Sequence, residues 1–343
     1  MYIHNINIMI NYKTLYIEQY FNGRVSFNKK SKCPISHAGS SFDEFYIRVI
    51  LPKLPDGYSY KKFCTYDLIK KIKITSNGVT LFKLESDFLE ILDKINNNYD
   101  NVEKLCFAEK NVVYYPFNLN QIMGQEFLLE RLRYYETCIY CTFSNISKLI
   151  YVQPSTNLSN SELENLDIID SSIIVHFNME KNGSNDTDID VKDKIVQSIS
   201  TWIFIPIWLD NTSMKNKKIS VKLNSKELTN EQEYIYDILD LILCTKDRSN
   251  NYTKMIDSYS LEIENKRFFS NDLSTFHNLI YRMDNRNLEE YFLGCVVDAK
   301  DIKDSVIILN INFLEEIAEP VELLCIFKIK RKMMYYDGMV GWV

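Results

Sequence analysis

Strand-length apolar runs, each stopped by polar or turn-forming residues, recur along the whole chain and constrain its fold more than any other feature. Phe45-Tyr46-Ile47-Arg48-Val49-Ile50-Leu51 is rich in aromatic and β-branched residues and stops at Pro52, which has no N–H for a sheet ladder. Leu68 to Thr75 sets Ile69, Ile72 and Ile74 among Lys70, Lys71 and Lys73, the pattern of a half-buried strand. Thr137 to Phe143 is apolar on both alternations, so a strand there is covered on both sides. Lys218 to Leu223 is the cleanest period-two segment, with Ile219, Val221 and Leu223 on one face. Ser172–Phe177, Thr201–Leu209, Ser258–Ile263, Val306–Ile311 and Glu322–Ile329 have the same character. Helical spacing is confined to two segments. Ser86–Ile95 has Ser86 as its candidate N-cap, and Glu231–Leu243 reads as a helix or a helix running into a strand. About ten to sixteen strands exceed what one sheet pair takes, so the expected class is all-β with two sandwiches or jelly rolls and a few short helices.

The most polar stretch, Glu180 to Lys194, carries Asp186, Asp188, Asp190 and Asp193 and is expected to be an exposed loop. It lies near the middle of the 343 residues, so the domain change is expected at about residue 195, with halves 1–195 and 196–343. Ser155–Asn165 is expected to be a loop of the first half.

Several function classes lose support on composition and motifs. A formal net charge of −6 argues against a nucleic-acid binder driven by a basic surface, so no direct nucleic-acid partner is expected. No apolar run reaches the roughly 18 residues of a membrane-spanning helix. Met1–Ile10 holds His4 and Asn5 and lacks the basic start and small-residue cleavage site of a signal peptide. The eight cysteines are scattered and sit mostly in apolar runs, which reads as small buried hydrophobes in a reducing compartment. Cys138-Ile139-Tyr140-Cys141 lies in a strand-like run that would send its two thiols to opposite faces, and no second C-x-x-C completes a zinc site. The four histidines are isolated, and His176 reads as an interior or interface side chain. No G-x-S-x-G elbow exists, and Asp186–Asp190 lacks the Gly and Glu of a calcium loop. No catalytic, cofactor or metal site is therefore expected. One basic cluster stands out: Lys328, Lys330 and Lys332 share one strand face while Ile329 and Arg331 share the other. It reads either as an edge strand guarded by lysines or as a contact for an acidic partner or anionic lipid surface.

A set of segments then appears in a definite order. Phe42 to Tyr58 contains Leu51-Pro52-Lys53-Leu54 followed by Tyr58. Tyr66–Ile74 has an alternating apolar face, and Phe82–Leu92 resembles a short helix that follows the next strand. Tyr115-Pro116-Phe117-Asn118-Leu119 and Phe127–Glu136 follow. Met255–Phe268 ends on Arg267-Phe268, with Glu264 and Asn265 where a turn with Gly is usual. Tyr335–Gly341 carries Gly338-Met339-Val340-Gly341. Together these segments resemble the double jelly-roll major capsid proteins of nucleocytoplasmic large DNA viruses. The resemblance marks Leu51, Pro52, Tyr58, Pro116, Phe117, Arg267, Phe268, Gly338, Met339 and Gly341 as signature structural residues. It implies two tandem eight-stranded jelly rolls, with short outward loops because the chain is short for the family. It implies a structural protein with no enzyme activity and no cofactor, assembled in the host cytoplasm. Homotrimers of pseudo-hexagonal outline would join neighbouring capsomers into an icosahedral shell over an internal membrane, with minor capsid proteins as further partners. Lys328, Lys330 and Lys332 would face the inner side. A minor capsid protein or poxvirus-type membrane-assembly scaffold of the same fold, a carbohydrate-binding β-sandwich and a hydrolase on a β scaffold are the alternatives.

Overall fold

The computed structural model describes residues 14–342 apart from 63, 96–98, 133–135, 153–162, 164, 180–193, 210–216, 225–234, 250, 270–290, 304, 317–318 and 338. Sixteen strands carry the architecture. The first eight are β1 (Thr14–Tyr20), β2 (Lys30–Ile35), β3 (Ser41–Ile50), β4 (Ile69–Ser76), β5 (Val79–Glu85), β6 (Val112–Asn118), β7 (Thr137–Phe143) and β8 (Asp170–Asn178). The second eight are β9 (Ile195–Leu209), β10 (Lys218–Asn224), β11 (Tyr236–Lys246), β12 (Ile256–Ile263), β13 (Lys266–Phe269), β14 (Leu293–Ile302), β15 (Val306–Phe313) and β16 (Val321–Tyr336).

Pairing is antiparallel throughout. In the first half the orders are β1-β8-β3-β6 and β2-β7-β4-β5; in the second they are β9-β16-β11-β14 and β10-β15-β12-β13. Adding eight to each strand number of the first half reproduces the second half. Two sheets in this interleaved order form a jelly roll, and the chain makes two in tandem. Met339–Trp342 adds a short strand beside the end of β16, and Phe127–Leu128 adds one beside β3.

Each roll closes over its own apolar face. In the first, Phe45, Ile47 and Val49 of β3 meet Val175 and Ile173 of β8 and Phe117, Tyr115 and Val113 of β6, with Phe45 stacked on Phe117 at 4.8 Å. In the second, Leu241 and Leu243 join Leu261, Leu309, Cys325 and Phe327. The four α-helices among the described residues all lie in the first half: α1 (Cys64–Leu68), α2 (Ser86–Ile95), α3 (Tyr99–Leu105) and α4 (Leu119–Met123). Phe88, Leu89, Ile91, Leu92 and Ile95 bury one face of α2. From the same helix the buried Asp93 carboxylate accepts a 2.9 Å hydrogen bond from the Tyr115 hydroxyl.

Three expectations need correction. Tyr236 to Leu243 is strand β11, not helix; it is apolar on both alternations because it is covered from both sides (Glu231–Tyr234 lie outside the described residues). Phe82–Glu85 is strand, and the helix starts only at Ser86. The basic cluster is no sheet edge, since β16 runs between β9 and β11. Glu180–Asp193 and most of Ser155–Asn165 lie outside the described residues.

Candidate assembly surfaces

The two copies of one sheet meet different surroundings. Even-numbered residues of the second-half sheet belong to the first half's core: Trp202 of β9, Ile242 and Cys244 of β11, Leu324 and Ile326 of β16. Phe88 of α2 stacks on Phe204 at 4.4 Å, and Lys94 lies 5.5 Å over the Tyr252 ring. Towards the other end Gln125 Nε2 donates to the Ser198 carbonyl at 2.7 Å, Phe127 packs on Tyr335, and the Trp342 indole N–H donates to the Thr80 carbonyl at 3.2 Å. Leu241 and Leu243 of β11 and Leu323, Cys325, Phe327 and Ile329 of β16 fill the second core, so the middle of this sheet is buried on both faces, while Trp208, Val296, Lys330 and Lys332 stay exposed towards its ends and edges.

The matching sheet of the first roll leaves its outer face open. Register places Tyr16, His176 and Glu44 in one row, Glu18, Ile174 and Tyr46 in the next, and Tyr20, Ser172, Arg48 and Tyr114 in a third. Tyr16 is 55% and Tyr20 61% exposed. Polar contacts hold this surface in place. His176 stacks on Tyr16 at 4.5 Å and sets its Nδ1 2.7 Å from the Asp43 carboxylate. Arg48 lies 3.5 Å from both Glu18 and Asp170. Burial and the neighbouring Glu44 push the Tyr46 phenol above its ordinary range. Carboxylates outnumber cations here, with Glu18, Asp43, Glu44 and Asp170 against Arg48.

The other sheet of the second roll also turns an outer face to solvent, and its charge is opposite. Lys222 of β10, Glu262 of β12 and Arg267 of β13 share one row, and Lys218 stands in another opposite Asn312. Between them Asn312 donates to the Ser258 hydroxyl at 2.6 Å.

The resemblance-marked residues are spread along the chain. Leu51 and Pro52 are buried where β3 ends, and the Pro52 carbonyl accepts from Tyr60. Tyr58 opens a short strand paired with Ile150–Val152. Pro116 is buried opposite Tyr46, and Phe117 sits in the first core. Arg267 is exposed and paired with Glu262 at 2.8 Å, and Phe268 packs on the second core. Met339 is exposed; Gly341 has open space where a Cβ would stand; Gly338 lies outside the described residues. Lys328 sits 3.9 Å from the part-buried Asp240 and 5.4 Å over the Trp202 ring, while Lys330 and Lys332 are exposed. Burial raises the Asp240 carboxyl, against the pull of Lys328.

Cysteine chemistry is uneven. Burial raises the thiols of Cys141, Cys244, Cys295 and Cys325, and Cys138 and Cys141 do sit on opposite faces of β7. Cys106 is different: hydrogen bonds from Cys64, then from Thr65, hold its thiol down to about 6. That contact joins residues far apart in sequence, and no local signal announces it. Among the described residues no cluster of three metal-ligating side chains exists, and no helix is long and apolar enough to cross a membrane.

Comparison with known proteins draws on this geometry. The signature described as "Major capsid protein N-terminus" matches residues 3–180. The chain belongs to the major capsid protein family. Members of that family are structural proteins of the virion rather than enzymes. A curated major capsid protein from Pyramimonas orientalis virus is 30% identical over 79 residues, 23% of this chain; the aligned segment spans 20% of that relative's length. The solved structure of VP54 from PBCV-1 matches with TM-score 0.69 at 12% identity over 98% of both chains. The Faustovirus major capsid protein matches with TM-score 0.62 at 8% identity, covering 96% of this chain and 92% of that one. At such identities the structural matches speak for the double jelly-roll fold alone.

Proposed function

We propose that this chain is a shell-building subunit that forms trimers of pseudo-hexagonal outline, with one domain on each side of about residue 195. The observation that carries this reading is the unequal burial of two equivalent sheets. Inside the subunit, the other roll covers the middle of the outer face of β9-β16-β11-β14; on β1-β8-β3-β6 the same face is open, aromatic and acidic. A second copy supplies the missing cover from its basic β10-β15-β12-β13 face. Such a contact joins two different surfaces and closes into a ring, in which three subunits present six rolls. A stable contact of this kind buries on the order of 1,200–2,000 Å². Aromatic residues such as Tyr16 and Tyr20 are typical anchors of interfaces.

In the same reading the trimers tile an icosahedral shell over an internal membrane in the host cytoplasm, with minor capsid proteins beneath. Lys330 and Lys332 then contact acidic lipid or inner partners, while Lys328 stays with Asp240. Reversing the charge of both exposed lysines should weaken binding to acidic liposomes; unchanged binding removes that role.

Size-exclusion chromatography with light scattering, followed by negative-stain imaging, tests the assembly. A trimer with a six-sided outline is expected. Tyr16→Glu with Tyr20→Glu should return folded monomer, and a wild-type chain that is monomeric at every concentration would overturn the reading.

A further inference from the structure

A cavity of about 570 Å³ opens where β4 and β5 of the first roll meet β9, β16 and the C-terminal strand. That volume suits a small ligand, for which pockets run to roughly 300–1,000 Å³. Four cationic side chains line it: Lys71, Lys73, Lys83 and Arg331. Lys73 and Lys83 stand directly opposite each other in the β4–β5 ladder, a placement in which like charges repel. Glu85 lies 3.6 Å from Lys71 and 3.4 Å from Lys83, so one carboxylate is shared between two ammonium groups. Arg331 is 5% exposed, and its guanidinium lies 3.9 Å from the Trp342 ring centroid. Trp202 also lines the cavity and is 4% exposed.

We propose that this cavity binds a small polyphosphate anion, gripped by lysines of the first roll and by Arg331 of the second. The anion reverses the lysine repulsion and ties the two rolls together across their junction. Burial and the adjacent Lys83 charge hold the Lys71 ammonium below the ordinary lysine range, the strain that such an anion relieves. The alternative is a surface where the lysines merely face water. It predicts no saturable site.

The test uses the full chain. Titration calorimetry and thermal unfolding are followed with sodium tripolyphosphate at constant ionic strength. One site per chain is expected, with a saturable rise in Tm. Lys73→Gln and Lys83→Gln should each weaken affinity at least tenfold, and should one fail to fold, the other carries the test. Equal affinity in wild type and both lysine variants would overturn the proposal, as would a Tm rise reproduced by sodium sulfate. Two further arms separate sources of phosphate: a short single-stranded oligonucleotide and phosphatidylinositol phosphate vesicles. Binding to either without binding to tripolyphosphate would also overturn it.

Discussion

Sheets β1-β8-β3-β6 and β9-β16-β11-β14 share one strand order, but only the second has its central strands covered on both faces. In β3 the inward Phe45, Ile47 and Val49 alternate with Tyr46 and Arg48, whereas in β16 Leu323 through Phe327 are all apolar and all buried. Topology therefore does not decide which sheet faces solvent; the residues at the outward positions do. An unbroken apolar strand belongs between two layers, and an alternating one belongs at a surface.

The sharpest way to break this comparison is a matched pair of truncations. Ile326→Ala should cost about 2–5 kcal/mol, because it opens a cavity between the rolls. Ile174→Ala, at the open face of the equivalent central strand, should stay below about 1 kcal/mol. Urea midpoints read both, and equal losses would abolish the distinction. Next in size is the helical clamp found in the first roll. Tyr115→Phe takes one donor from the buried Asp93 and should destabilise by about 1–3 kcal/mol in the same denaturation assay.

Thiol reactivity sharpens the contrast in another way. Cys106 in the first roll is held down to about 6, while burial pushes Cys295 in the second up to about 12. A depressed thiol is already thiolate at neutral pH and loses its nucleophile as pH falls through its pKa. Iodoacetamide should therefore modify Cys106 first, with a rate falling to half near pH 6, and mass spectrometry of the peptides gives the order. First modification at Cys295 would contradict this.

The smallest expected effect lies in two equivalent hairpins. The β4–β5 turn is Asn77-Gly78 with φ of 48° and 76°, the left-handed pair that a two-residue hairpin needs. The β12–β13 turn takes the same shape with Glu264-Asn265, at φ of 51° and 64°. Asn265→Gly should stabilise by about 0.5 kcal/mol, whereas Gly78→Ala should cost about 1 kcal/mol. Thermal unfolding of the two variants measures both.

Much of this fold could be read from local patterns, and the omissions have physical causes. The segment at 218–223 shows itself by clean alternation, and those at 137–143 and 306–311 by short apolar runs rich in β-branched and aromatic residues. Strands β1, β2, β6 and β14 lack a local pattern that announces them, whereas β13 falls in the hairpin expected over Met255–Phe268. Thr14–Tyr20 and Lys30–Ile35 lack a clear period because polar residues stand at inward positions, Gln19 opposite the buried Ile173 and Ser31 itself buried. The missed β5 had a usable signal, for Asn77-Gly78 between apolar runs marks a hairpin. Glu231–Leu243 misled in the opposite way: a strand buried on both faces loses its alternation, and apolar residues at every phase then mimic a helix.

Local alternation, turn residues and composition determined an all-β chain with helical content near Ser86–Ile95, and they separated core positions from surface ones. Only the tertiary structure decided which surfaces meet: Lys328 with Asp240, His176 with Asp43, Cys64 with Cys106, and the lysines of β4 and β5 with Arg331 and Trp202. The physical reason is range. A side chain's alternation is set by its immediate neighbours, whereas its partner is set by how strands and rolls distant in the chain pack together and exclude water from the surfaces between them.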